Sequence, residues 1–385
     1  VKSNRARFAF VLGSAAGLIL LTALKAPILP PGPDPILKPL AIFTEVLNLT
    51  RSNYVEPVDV ETLLQGAYDG VTDAIDPFSY YVPEGKMGNY RAFRKARAVD
   101  PGFVLGRRSG LVYVVAPIAG SPAAQAGFQS GDILLSVDGK TTRNEALWEV
   151  ESRLAGPEGT KVSLKFLRSG EDGEMQATLS REAAAVGKPS KSIEDGVPVI
   201  RIPSFRAGTA AELENLLATV RGDAMVVLDV RDNPAGDVAE AARAASLLIP
   251  PGEVARVTAK TEPERSIPTE GKRVRTGAAI VLIDGGTAGA AEVFAGALHD
   301  RADAPLVGES SAGMGVIQKL VPMDSGGALY LTVAEYRTPA GTELTGKSLT
   351  PTERVDIYPG DTSGGKDPIL RRALELAASG ASKAA

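Results

Sequence analysis

The chain has no cysteine and a single histidine among its 385 residues. The first absence excludes disulfides, thiolate metal sites and a cysteine nucleophile. The second excludes a metal centre built from several imidazoles, and no cofactor is expected. A serine–histidine–aspartate relay would have to pass through His299, whose neighbours Ala297-Leu298-His299-Asp300 read as the partly exposed end of a helix. A basic excess is missing as well. The formal net charge is −4, so nucleic acid is not an expected partner.

What is present is ordinary globular material, 44% hydrophobic and 23% charged, in a length that suits two or three domains. The N-terminus departs from it. Lys2, Arg5 and Arg7 precede an uncharged run over residues 8–24. A helix of that length spans about 26 Å, slightly short of a bilayer core of roughly 30 Å, although Lys25 can snorkel and extend it. Residues 1–25 therefore read as a signal anchor or a signal peptide. The small-x-small site ending at Ala26 is flanked by Lys25 and Pro27, which favours the uncleaved anchor. The basic flank places the N-terminus inside and the bulk of the chain outside. Pro27, Pro30, Pro31, Pro33 and Pro35 make residues 26–36 a stiff linker.

Residues 37–98 follow a helical period. Phe43, Val46, Leu47 and Leu49 suit one helix face, and residues 60–75 a second helix with Asp59 as its cap. Asp76-Pro77-Phe78-Ser79-Tyr80-Tyr81 closes this region. Residues 99–182 predict a strand at 110–116, a short helix stopped by Gly127, a strand leading into a hairpin at Asp138-Gly139, a helix at 145–154 and a closing strand at 160–168. Residues 183–378 alternate between the two periods. Strands are expected at 197–202, 224–230, 278–283, 304–307, 316–320 and 329–335, the second of them almost continuously apolar. Helices are expected at 209–220 (begun by Thr209), 239–249, 290–298 and 367–378, and residues 379–385 read as a flexible small-residue tail.

The order of elements in residues 99–182 resembles a PDZ domain. Such a domain adds a ligand's terminal strand to an exposed edge and holds its carboxylate with backbone amides, here those of Gly102-Phe103-Val104-Leu105. Two further segments, Gly286-Thr287-Ala288-Gly289-Ala290-Ala291-Glu292 and Gly308-Glu309-Ser310-Ser311-Ala312-Gly313-Met314-Gly315, resemble motifs of the carboxyl-terminal processing (tail-specific) proteases. In that family the first motif carries the nucleophilic serine and the second the general-base lysine. Here the serine position is Gly289 and the lysine position is Met314, while the family's glutamine four residues further on is matched by Gln318. Arg231-Asp232-Asn233-Pro234-Ala235-Gly236 resembles the turn that helps build the family's oxyanion hole. The first of its two glycines is Ala235, a strained substitution if that position takes a positive φ. The resemblance implies an α+β multidomain fold: a helical base, a PDZ domain, and an α/β, crotonase-like protease core with a β-rich subdomain.

Glycine offers no hydroxyl, and the thioether of methionine is too weak an acceptor to serve as a base. Gln318 alone orients a group but transfers no proton. Losing a nucleophile that acts as part of a unit costs on the order of a million-fold in turnover. The expectation is a catalytically degenerate pseudoprotease that acts by binding C-terminal or unfolded peptide segments. It would scaffold or regulate an envelope complex or an active paralogue, as a homo-oligomer or hetero-oligomer. Residues 8–24 would hold it on the periplasmic face of a bacterial inner membrane, or cleavage would release it to the periplasm. The alternative is an active serine endopeptidase with displaced catalytic residues, drawing on Thr287, Ser310 or Ser311. The nearest lysine, Lys319, is expected on the opposite strand face from Gln318.

Overall fold

The computed structural model describes residues 36–222, 224–357 and 366–383. The expected membrane segment at residues 8–24 lies outside them, as do residues 384–385 of the expected tail. Among the described residues no helix is long and apolar enough to cross a membrane. The chain divides into two compact units, one ending at Gln65 and one beginning at Gly66.

In the first unit the helix Leu37–Asn53 buries none of its residues and leaves Leu40, Phe43, Val46 and Leu49 exposed. Asp59 caps the next helix, Val60–Asp73, by accepting from the Thr62 amide at 3.2 Å and from the Glu61 amide at 3.3 Å.

The second unit contains three sheets. Residues 99–182 form one of them, in the order Phe103–Arg108, Leu111–Pro117, Ile133–Val137, Lys161–Leu167, Met175–Ser180. The helix Leu147–Leu154 packs Leu147, Trp148, Val150 and Leu154 into its core. Sequence reasoning missed the last strand of this sheet. It also placed no strand before residue 110, whereas Phe103 already pairs with Pro117 and opens one.

The region expected to be helical over 37–98 contains a strand as well. Tyr80–Val82 pairs antiparallel with Ala328–Arg337, setting Tyr80 opposite Tyr330 with the rings stacked 4.8 Å apart. Aromatic and β-branched residues directly after a proline turn favour this extended pairing over helix. The same sheet holds Glu253–Ala259, Arg265–Pro268 and Val316–Pro322; the first two were not predicted.

The central sheet runs Glu353–Arg354, Leu306–Gly308, Ala279–Ile283, Val226–Asp229, Val197–Arg201, Ser190–Glu194, parallel throughout except for the last pairing. Its central strands, Val226–Asp229, Ala279–Ile283 and Leu306–Gly308, are buried on both faces because helices cover both. Val226, Leu228, Val281 and Ile283 meet the helices Thr209–Ala218, Val238–Ser246 and Ala290–Ala302. Val227, Ile280 and Leu282 turn the other way, toward Ile369, Ala373 and Ala377 of the helix Pro368–Lys383. Thr209 does not cap its helix. Gly208 occupies the cap, Thr209 Oγ1 donates to the Ser204 carbonyl, and Glu240 accepts the Ala210 amide at 2.8 Å.

Candidate active site

The strand Ala279–Ile283 ends in a tight loop that delivers Gly289 to the N-terminus of the helix Ala290–Ala302. Gly289 has φ 56° and ψ −110°, a conformation that L side chains rarely adopt. Such a strand-to-helix elbow lifts one residue clear of the sheet. A Cβ built there would meet nothing nearer than the Met314 carbonyl oxygen at 3.7 Å. The backbone therefore keeps room for a side chain that the sequence does not supply.

Glu292, one turn into the helix, joins the two motifs. Its Oε2 accepts the amides of Gly289 at 2.9 Å and Met314 at 2.8 Å. Its Oε1 accepts the Gly313 amide at 2.8 Å and the Ser311 hydroxyl at 2.5 Å. Burial pushes this carboxyl up to about 7, against the pull of those four donors. From sequence, Glu292 reads only as a favourable charge at a helix start. The Gly289–Glu292 spacing, a cap position followed three residues later by glutamate, was the signal for more.

The oxyanion-type turn lies at the end of the neighbouring strand. Asp284 receives the Asp232 amide at 3.0 Å, the Gly286 amide at 3.0 Å and Thr287 Oγ1 at 3.1 Å, fastening turn to loop. Burial and the adjacent Asp232 raise the Asp284 carboxyl to about 7. The strain anticipated at Ala235 is absent, because Ala235 is not among the positive-φ residues. Its carbonyl accepts from Ser204 Oγ at 2.9 Å. The conformational demand falls on Gly236, at φ 155°, where a Cβ would lie 2.8 Å from the Phe205 amide nitrogen.

Met314 comes next to Gly289 through that backbone junction, and its side chain belongs to an apolar cluster with Phe78, Val104, Val115 and Ala288. It also lines, with Gln318, a cleft of about 180 Å³. Gln318 Nε2 is buried there without a hydrogen-bond partner. Lys319 is on the exposed side of the strand, 4.0 Å from Glu262. The remaining hydroxyls offer no dyad. Thr287 is buried and bonded to Val230 and Asp284, Ser311 is buried between Glu292 and the Leu349 amide, and Ser310 is exposed. His299 sits near the far end of its helix, its Nδ1 3.0 Å from the Ala304 carbonyl.

The cleft's opposite wall comes from the PDZ-like segment, through Phe103, Val104, Leu105, Leu147 and Glu151. Gly102 is not in the wall. The Gly102 and Phe103 amides donate to Asp100 Oδ1, at 2.6 and 3.3 Å, so two of the amides expected to hold a peptide carboxylate are already taken. Glu151 was missed from sequence. It shares a helix face with Leu147 and Leu154, and an acid on an otherwise apolar inward stripe was the signal.

Comparison with known proteins places these features. Residues 196–355 match the family model for peptidase family S41, and residues 113–168 match a PDZ domain model. The chain is 30% identical over 322 residues to a carboxy-terminal-processing protease of Bartonella bacilliformis, covering 82% of this chain and 74% of that protein. It is 30% identical over 312 residues to the carboxy-terminal processing protease CtpA of Bacillus subtilis, covering 80% and 67%. Among solved structures, a photosystem II D1 C-terminal processing protease superposes with a TM-score of 0.64 at 23% identity, covering 84% of this chain and 95% of that one, a likeness of fold.

Proposed function

The chain belongs to the carboxy-terminal-processing protease family, and we propose that it is a member that keeps the family's scaffold without its hydrolytic chemistry and works by binding peptide segments. One observation carries this reading. The elbow that would present a nucleophile bears Gly289, and the residue bonded to the same carboxylate opposite it is Met314. None of the three hydroxyls in the two motifs compensates, since Thr287 and Ser311 are committed to structural hydrogen bonds and Ser310 faces solvent. A proton acceptor beside a positioned hydroxyl is what acyl transfer requires.

What is left is a groove between the Phe103–Arg108 strand and the Leu147–Leu154 helix, opening onto the emptied centre. Its ligands would be C-terminal or unfolded peptide segments, bound alongside the strand edge. The setting we propose is the periplasmic face of a bacterial inner membrane, where the protein would scaffold or regulate an envelope complex or an active relative.

The test is cleavage of an unstructured protein by the full chain, beside the Gly289→Ser/Met314→Lys double variant. The unmodified chain is expected to be silent and the double variant to gain slow turnover. Turnover by the unmodified chain at a rate the double variant does not exceed overturns the proposal and directs the search to another nucleophile.

A further inference from the structure

The groove has two lobes, of about 180 and 250 Å³, which share Arg94, Phe103, Leu105 and Glu151 as walls. Leu147 lines one and Leu154 the other, so leucine and phenylalanine side chains run along a passage whose exposed lining is otherwise more polar than apolar. Glu151 puts a carboxyl into it with neither a hydrogen bond nor an ion pair among the described residues. Three acids of this region are matched instead: Glu145 with Arg153, Glu149 with Lys86, and Asp132 with Arg168. Asp100 lines the second lobe and adds a further negative charge. The cation facing them is Arg94, which is exposed at the mouth with its guanidinium 5.9 Å from the Tyr330 ring centroid. Tyr80 and Tyr330 complete the titratable lining, and burial favours the protonated form of both phenols.

Building on the peptide-binding reading above, we propose that this groove selects peptides ending in lysine or arginine, whose side chain runs along the apolar walls and pairs with Glu151. The alkyl stem of either residue suits the leucine and phenylalanine of the walls. Its charged head meets a carboxylate that makes no hydrogen bond or ion pair among the described residues and feels only the nearby charges of Arg94 and Asp100. Asp100 already draws on two loop amides, so the loop alone gives a terminal carboxylate fewer donors, and the charge on the last side chain carries more of the discrimination. Arg94 at the mouth is the cation placed to meet that carboxylate. An acidic last residue would bring a third negative charge beside Glu151 and Asp100, which disfavours it. Burial raises the empty Glu151 carboxyl to about 7, and an arriving ammonium would favour its ionised form.

The experiment measures anisotropy of three fluorescein-labelled decapeptides, identical but for a last residue of lysine, leucine or glutamate, with the full chain. The lysine peptide should bind about tenfold more tightly than the leucine peptide, the scale of one charge-assisted hydrogen bond, with the glutamate peptide weakest. A leucine peptide that binds as tightly as the lysine peptide overturns the selectivity and leaves peptide binding standing. Failure of all three to bind removes both. Glu151→Gln breaks no bond of the fold and should cost the lysine peptide about tenfold while changing the leucine peptide less than about twofold. Glu151→Lys should invert the order, so that the glutamate peptide outbinds the lysine peptide. An unchanged order in both variants overturns the assignment to Glu151.

Discussion

Two carboxylates, Glu292 buried at the Gly289–Met314 junction and Glu151 half-buried in the adjoining groove, are both raised by desolvation to about 7, yet their surroundings are opposite. Glu292 is saturated, with two donors on each oxygen. Glu151 has none among the described residues. A buried polar group that the fold satisfies is part of the framework, whereas a half-buried one left open on a groove wall stays available to a ligand. On the function proposed above, the difference assigns the Gly289–Met314 junction to the framework and ligand recognition to the groove. Gln318 belongs with the open class, since its buried Nε2 lines the same cleft without a partner.

The strongest way to break that contrast is to truncate Glu292. Glu292→Ala would leave three backbone amides and the Ser311 hydroxyl without their acceptor in a buried site. Each such orphan costs about 1–3 kcal/mol, so a total loss of at least about 3 kcal/mol in urea unfolding is expected. A loss below about 1 kcal/mol would mean that the junction is slack and that Glu292 is no more framework than Glu151. Next comes Met314→Lys, which sets an amine among Phe78, Val104, Val115 and Ala288. Without the partner that a serine would provide, it should cost about 1–3 kcal/mol, whereas Met314→Leu should be near neutral. Equal stability of the lysine and leucine variants would show that position 314 is still built for a charge.

These contrasts also mark how far the sequence was legible. Motifs and their order placed Gly289, Met314 and the oxyanion-type turn beside one another, because strand–loop–helix units put the ends of adjacent parallel strands together. The central strands were readable because Val226, Val227, Leu228 and their neighbours are apolar on both faces. Tyr80–Val82 was not readable, since its partner lies at Ala328–Tyr330 and nothing local announces so distant a pairing. The commitment of the Gly102 and Phe103 amides to Asp100 was likewise hidden, because an aspartate before Pro-Gly reads as an ordinary turn. Strain at Ala235 was a guess about φ that only coordinates can test, and the demand proved to sit one residue later, at Gly236.

A smaller effect is expected at Gly289 itself. Gly289→Ser fills open space, so no clash opposes it, but a side chain must then hold φ 56° and ψ −110°. Strain of that kind costs on the order of 1 kcal/mol, seen as a lower urea midpoint with an unchanged slope. Loss of the serine would then have relieved a strain that an active site carries for function. A serine variant more stable than the present chain would argue against that history.

The smallest effect is the most discriminating. Glu151 has a folded value near 7 against its ordinary 4.5, so between those values the native state holds a proton that the unfolded chain has released. Its contribution to stability is therefore complete below about 4.5 and is lost as pH rises through about 7. Glu151→Gln does not titrate there, and Arg94, Asp100, Tyr80 and Tyr330 face the site in both proteins. From pH 5 to pH 8 the parent should lose stability relative to the variant, by something under about 1 kcal/mol once solvent screening is allowed for. The lysine-ended peptide should run the other way and bind more tightly at pH 8, because it pairs with the carboxylate that the empty groove leaves open. Parallel stability curves for parent and variant, with peptide affinity flat across the same range, would show that Glu151 keeps its ordinary carboxyl behaviour and is not the peptide's partner.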